Sequence, residues 1–119
     1  MAAIMTITRL HTNTRMSQAV IHGDTVYLAG QVAADPTTDV AGQTSQILSQ
    51  IDALLAECGS DKTKLLMATI WLSDISTFDQ MNGEWDAWIP DGCAPARACV
   101  ESKLAFPQFT VEIRVVAGR

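Results

Sequence analysis

Only two stretches of this chain repeat their apolar residues at helical spacing, and that scarcity limits the folds open to it. Ile47, Leu48, Ile51, Leu54, Leu55 and Cys58 form one stripe, followed by Gly59. Phe78, Met81, Trp85, Trp88 and Ile89 form the other. The first predicts an amphipathic helix of about four turns, with Gly59 as the residue that stops it. For the second, Ser76 with Asp79 three residues on predicts a capping box, and "PDGCAP" ends the helix. The other apolar runs read as strands. "AVIHGDTVYLAGQV" holds two of them around a turn at His22-Gly23-Asp24. "KLLMATIWLSD" is almost continuously apolar, which predicts a central strand covered on both faces. "ARACVESKLAFPQFTVEI" reads as a closing antiparallel hairpin. The order is β-β-α-β-α-β-β, an α+β chain whose mixed sheet carries two helices on one face.

Two helices cover only one face of such a sheet. The other would present Val, Ala and Leu to water, which monomers seldom tolerate, so further copies of the chain are expected to close it. The 119 residues form a single domain, 1–119, without repeat or linker. That length is enough to bury a core without disulfides or a structural metal.

Composition removes several classes of function. The net charge is −5 and the eight basic residues are scattered, so no nucleic-acid footprint is present. An anionic ligand would need a local cation, which makes each Arg inside an apolar segment worth tracking. Cys58, Cys93 and Cys99 are odd in number and lack metal-ligand spacing, which argues against a disulfide framework or zinc site and for a reducing compartment. "MAAIMTITRL" lacks the pattern of a signal peptide. No apolar run approaches the roughly 20 residues of a membrane span. The expectation is a soluble cytoplasmic protein. His11 and His22 lack ligand spacing and read as solvated; Trp71, Trp85 and Trp88 read as core.

The closing segment places Arg97 in one apolar run and Glu112 in the next. With a turn centred in "AFPQF" and Glu101 opposite Glu112, Arg97 and Glu112 fall on the same side of the sheet. That register opposes two carboxylates, so a neighbouring cation or a different register is needed. One reading makes these charges a solvated edge or weak cross-strand ion pairs, worth about 0–1 kcal/mol each. The other makes them a carboxylate site: Arg grips a small carboxylate with its planar fork, and Glu holds or deprotonates a water. Spacing alone leaves both open.

The same residues resemble the RidA (YjgF-type) family of imine/enamine deaminases. The resemblance rests on Pro95-Ala96-Arg97, Val100, Lys103, Ala105 and Val111-Glu112-Ile113. Weaker matches are Ser17-Gln18, Gly30-Gln31, "QTSQILSQIDALL", "ATIWLSD" and Met81-Asn82. It implies a chorismate-mutase-like homotrimer with ligand clefts between subunits. It also implies hydrolysis of 2-imino or 2-enamino acids to 2-oxo acids and ammonia, without metal, cofactor or nucleophile. Arg97 would bind the substrate carboxylate and Glu112 would orient water; Cys99, Gly30 and Asn82 would line the ligand. Two positions depart from the family pattern: Met16 stands where a Tyr is common, and Ala29 where Ser is common. Both fall within the substrate-binding set and point to larger, more apolar imino acids. Retained Glu112 favours an enzyme; Met16 and Ala29 favour the alternative, a non-catalytic, regulatory or chaperone-like trimer that binds small carboxylates.

Overall fold

A computed structural model describes residues 6–119; Met1–Met5, within the segment read for a signal peptide, lie outside the described residues. The chain runs β1 (Ile7–Thr12), β2 (Ser17–His22), β3 (Thr25–Leu28), α1 (Val40–Glu57), β4 (Leu65–Leu72), α2 (Phe78–Trp88), β5 (Ala96–Glu101) and β6 (Val111–Gly118). The strands form one sheet in the order β1-β2-β3-β6-β4-β5. Only β4–β5 is parallel.

Local signals explain the helices. Asp39 caps α1 by accepting from Gly42 N–H at 2.9 Å. At its far end Gly59 takes φ 73°. Gly59 N–H then donates to Ala56 and Ser60 N–H to Leu55, the two bonds of a Schellman stop. The predicted capping box of α2 does not form. Ser76 lies instead in a 3-10 turn, Ile75–Thr77, capped by Asp74, and Thr77 precedes α2 without a side-chain capping bond to it. Ile47, Ile51, Leu55 and Met81 bury against Val26, Ile70, Ile113 and Val115. Cys58 joins that core, as its stripe predicts.

Three corrections bear on the site. The chain has one strand more than predicted, β1, which pairs along β2. β5 and β6 do not form a hairpin: β4 lies between them, parallel to β5 and antiparallel to β6. A strand, an 11-residue helix and a parallel strand make a βαβ crossover, and the crossover decides where β5 goes.

The third correction concerns β4, which is covered on one face only within the chain. Ala68, Ile70 and Leu72 face the helices, while Met67, Thr69 and Trp71 face away. Trp71 is therefore on the open face and outside the core. Tyr27, Met67 and Val100 share that face at 47%, 43% and 45% exposure, an apolar surface with no cover from its own chain. No helix among the described residues is long and apolar enough to cross a membrane.

Candidate functional site

Arg97 stands opposite Ala68 in the parallel β4–β5 ladder and so faces the helix layer. There α2 presents Phe78, Asn82 and Trp85, spaced four and three residues apart on one helical stripe. Arg97 Nη1 donates to Asn82 Oδ1 at 2.7 Å. Its Cζ lies 5.3 Å from the centroid of the Trp85 ring and 5.9 Å from that of Phe78. A neutral amide and two aromatic faces thus hold the guanidinium without neutralising it. Among the described residues the one contact within 4.0 Å between a basic and an acidic side chain is His11–Glu57, so no carboxylate occupies the Arg97 fork. Glu101, two positions beyond Cys99 on the same strand face, accepts from Ile75 N–H at 2.9 Å and is committed there. Between them, burial pushes the Cys99 thiol up, partly opposed by Arg97.

Glu112 stands opposite Trp71 in the β4–β6 ladder, on the open face. Its surroundings depend on a bulge. Tyr27 pairs with Val116 and Gln31 with Ile113, so three residues of one strand, 28–30, oppose two of the other. The extra residue brings Gly30 beneath the Glu112 side chain: a Cβ built on Gly30 would fall on Glu112 Oε2, and 3.0 Å from its carboxyl carbon. Only glycine leaves that space. Among the described residues no hydrogen bond reaches the Glu112 carboxylate, and burial raises its proton affinity above that of an ordinary Glu.

Ala29, whose N–H donates to Gln18 at 2.9 Å, flanks Gly30. Met16 lies at the β1–β2 turn, 39% exposed, its N–H donating to Asn13 Oδ1 at 3.0 Å. The sequence-predicted residues therefore fall into two groups. Arg97, Asn82 and Cys99 meet between β5 and α2; Glu112, Gly30, Ala29 and the turn bearing Met16 gather at one end of the β2-β3-β6 part of the sheet. Within one chain the groups do not meet. Arg97 and Glu112 lie on opposite faces, two strands apart and three positions along, about 10 Å in each direction by strand geometry. The same-side register is thus corrected. Phe78 and Trp85, read from the sequence as core alone, also cradle Arg97; an Asn between aromatics on one helical stripe was the signal available.

Gly30 gives a direct test. The obstructing atom belongs to the end of a flexible side chain, so Gly30→Ala displaces the Glu112 carboxylate while leaving the fold in place. We expect a melting temperature close to wild type, with any chemistry that depends on the placed Glu112 carboxylate slowed by about tenfold or more.

The chain is thus an α+β fold with a guanidinium held by a neutral amide on one face of its sheet and an unpaired carboxylate on the other. The model for the family described as Endoribonuclease L-PSP matches residues 6–118. The RutC family protein YoaB of Escherichia coli K12 is 44% identical over 114 residues, covering 96% of this chain and 99% of its own. A RutC family protein of Haemophilus ducreyi is 41% identical over 112 residues, covering 94% and 96%. Among solved structures, a YjgF family member from Neisseria meningitidis superposes with TM-score 0.94 at 45% identity, covering 97% of this chain and 96% of that one. An uncharacterised protein from Pseudomonas aeruginosa does so with TM-score 0.94 at 43% identity, covering 96% and 99%. The chain belongs to the YjgF/RutC (L-PSP) family.

Proposed function

We propose that this protein hydrolyses reactive 2-imino and 2-enamino acids to 2-oxo acids and ammonia, in clefts between copies of the chain in a homotrimer. The observation that carries this reading is the tether of Arg97: an uncharged amide holds one nitrogen, and the rest of the fork stays charged and unpaired. Such a group suits a small carboxylate, gripped in two hydrogen bonds. The acidic balance of the whole chain, −5, supports a local anion site over binding to an RNA backbone.

The two groups lie on opposite faces of one chain, so Arg97 of one copy and Glu112 of its neighbour supply the two ends of a shared cleft. Arg97 fixes the carboxylate and with it the adjacent imine carbon. Water adds to that carbon, and Glu112 accepts the proton that water loses. The proton passes to the amine nitrogen, the C–N bond breaks, and ammonia leaves as the hydroxyl gives its proton to Glu112 and its oxygen becomes the oxo group. A protonated imine is already electrophilic, so positioning and proton transfer suffice.

The test generates imines in situ with an amino-acid oxidase and follows 2-oxo acid release against a trapping reagent. Acceleration by wild type that vanishes in Arg97→Ala supports the reading. Tight binding of a 2-oxo acid without acceleration makes the protein a carboxylate-binding trimer. A second prediction concerns assembly. Tyr27→Lys with Met67→Lys places two ammonium groups on the apolar open face. The wild type should sediment at three times the mass of one chain and the double variant at the mass of one, with activity lost in parallel. A monomeric, active wild type would overturn the shared cleft.

A further inference from the structure

We infer that the side-chain amide of Gln18 is a directed hydrogen-bond donor at the Glu112 end of the cleft, bonding to the oxygen that water brings to the substrate. The inference rests on the deaminase reading for its substrate, and on a relay of three amides for its geometry.

The relay starts at backbone groups that cannot turn over. Ala34 N–H donates to Gln50 Oε1 at 3.3 Å, which fixes which end of that amide is oxygen. Gln50 Nε2 accordingly donates to Val32 C=O at 3.0 Å and to Gln31 Oε1 at 3.3 Å. Gln31, 7% exposed, then has its nitrogen on the other side. Gln31 Nε2 donates to Ala29 C=O at 3.1 Å and to Gln18 Oε1 at 2.8 Å. Each amide orients the next, so the Gln18 oxygen is committed and its NH2 group is left over. Among the described residues that NH2 group has no partner, and it is absent from the buried polar atoms lacking one, so it reaches solvent. Backbone groups of Ala34, Val32 and Ala29 dictate which way the Gln50 and Gln31 amides face.

The position of Gln18 makes that donor useful. Buried Ala19 and Ile21 face the helices, so alternation starts the Gln18 side chain on the open face, as for Glu112, while its amide oxygen meets Gln31 near the end of β2. Gln18 C=O accepts from Ala29 N–H, and the next residue, Gly30, carries the Glu112 carboxylate against its backbone. An acceptor and a donor therefore flank one bulge. Water bound there gives a proton to Glu112. Its oxygen, bonded to the substrate carbon as the hydroxyl of the tetrahedral adduct and then as the oxo group, accepts from Gln18.

The experiment uses Gln18→Met, Gln18→Glu and Gln50→Glu. Gln18→Glu keeps the oxygen that Gln31 needs but replaces the donor with a charge; Gln18→Met removes the donor without adding charge. Both should weaken 2-oxobutanoate binding by about tenfold in calorimetry and slow imine hydrolysis by tenfold or more through kcat, with thermal stability little changed. Gln50→Glu cannot donate to Gln31, so the Gln31 amide turns over and draws the Gln18 NH2 group inward. Its loss of activity should match that of Gln18→Met, and the double variant Gln18→Met/Gln50→Glu should lose no more than either alone. Full activity and affinity in Gln18→Met overturn the inference, as do additive losses in the double variant. A wild type that binds 2-oxobutanoate without speeding hydrolysis sinks the deaminase reading alone, and the affinities then decide the donor. A wild type that does neither sinks both.

Discussion

On the deaminase reading, Glu112→Gln should lower kcat for imine hydrolysis by about 10²–10⁴-fold, the span of a lost general base, and should leave a protein more stable than wild type at neutral pH. Both effects have one cause. Burial without a hydrogen-bond donor raises the Glu112 pKa above the ordinary carboxylate value. Between that ordinary value and the raised one, the folded chain holds a proton that the unfolded chain has released. The stabilisation is complete at low pH and disappears as pH rises through the folded pKa, so ionised Glu112 is a burden on the fold at neutrality. Glutamine has nearly the same shape and no charge to desolvate. The difference in melting temperature between variant and wild type should therefore be widest near pH 7 and close towards pH 4. In the wild type, kcat/KM should fall on the acid side through a group that titrates above the usual Glu range. An active Glu112→Gln variant would leave the anion site intact and remove the carboxylate from the chemistry.

Arg97→Ala is expected to reduce kcat/KM by 10²-fold or more and to abolish measurable 2-oxobutanoate binding, in line with removal of one partner of a charge-assisted, two-point contact. The fold should barely respond, because the guanidinium is exposed and its contacts with Trp85 and Phe78 contribute only about 0.5–1 kcal/mol at such a site. Arg97→Lys restores the charge without the fork and should recover part of the binding at most. Asn82→Asp leaves Arg97 in place and sets a carboxylate where the amide oxygen now accepts its Nη1 hydrogen. The cation is then paired within the protein, and substrate affinity should fall as it does in Arg97→Ala. If Asn82→Asp binds 2-oxobutanoate as wild type does, the free charge on Arg97 is not what captures the ligand.

Much of this architecture was legible in residue order because much of it is local. Helical spacing marked α1 and α2, and Gly59 marked the stop of α1, where a positive φ is needed within one turn of the helix. The His22-Gly23-Asp24 turn was equally local: Gly23 takes φ 59° at the first central position, which joins β2 to β3 in two residues. β1 was less visible. Ile7–Thr12 is largely exposed, and its alternation of residues carries little apolar signal.

The site divides along the same line. Its chemistry was readable, since a guanidinium and a carboxylate inside apolar strands stand out wherever the strands lie. Their relation was not. Side-chain direction alternates with every residue, so one change of partner moves a group to the other face. β5 and β6 are adjacent in sequence, yet both pair with β4, which crossover through α2 makes possible. The bulge at 28–30, the fit of Gly30 under Glu112 and the amide chain through Gln31 and Gln50 all depend on residues brought together from distant segments. Sequence by itself therefore determined both helices, five of the six strands, the uncovered sheet face and the identity of the charged groups, because each follows from the periodicity or chemistry of a short stretch. Tertiary structure alone decided that Arg97 and Glu112 occupy opposite faces, because strand pairing is a choice among partners that no single stretch contains.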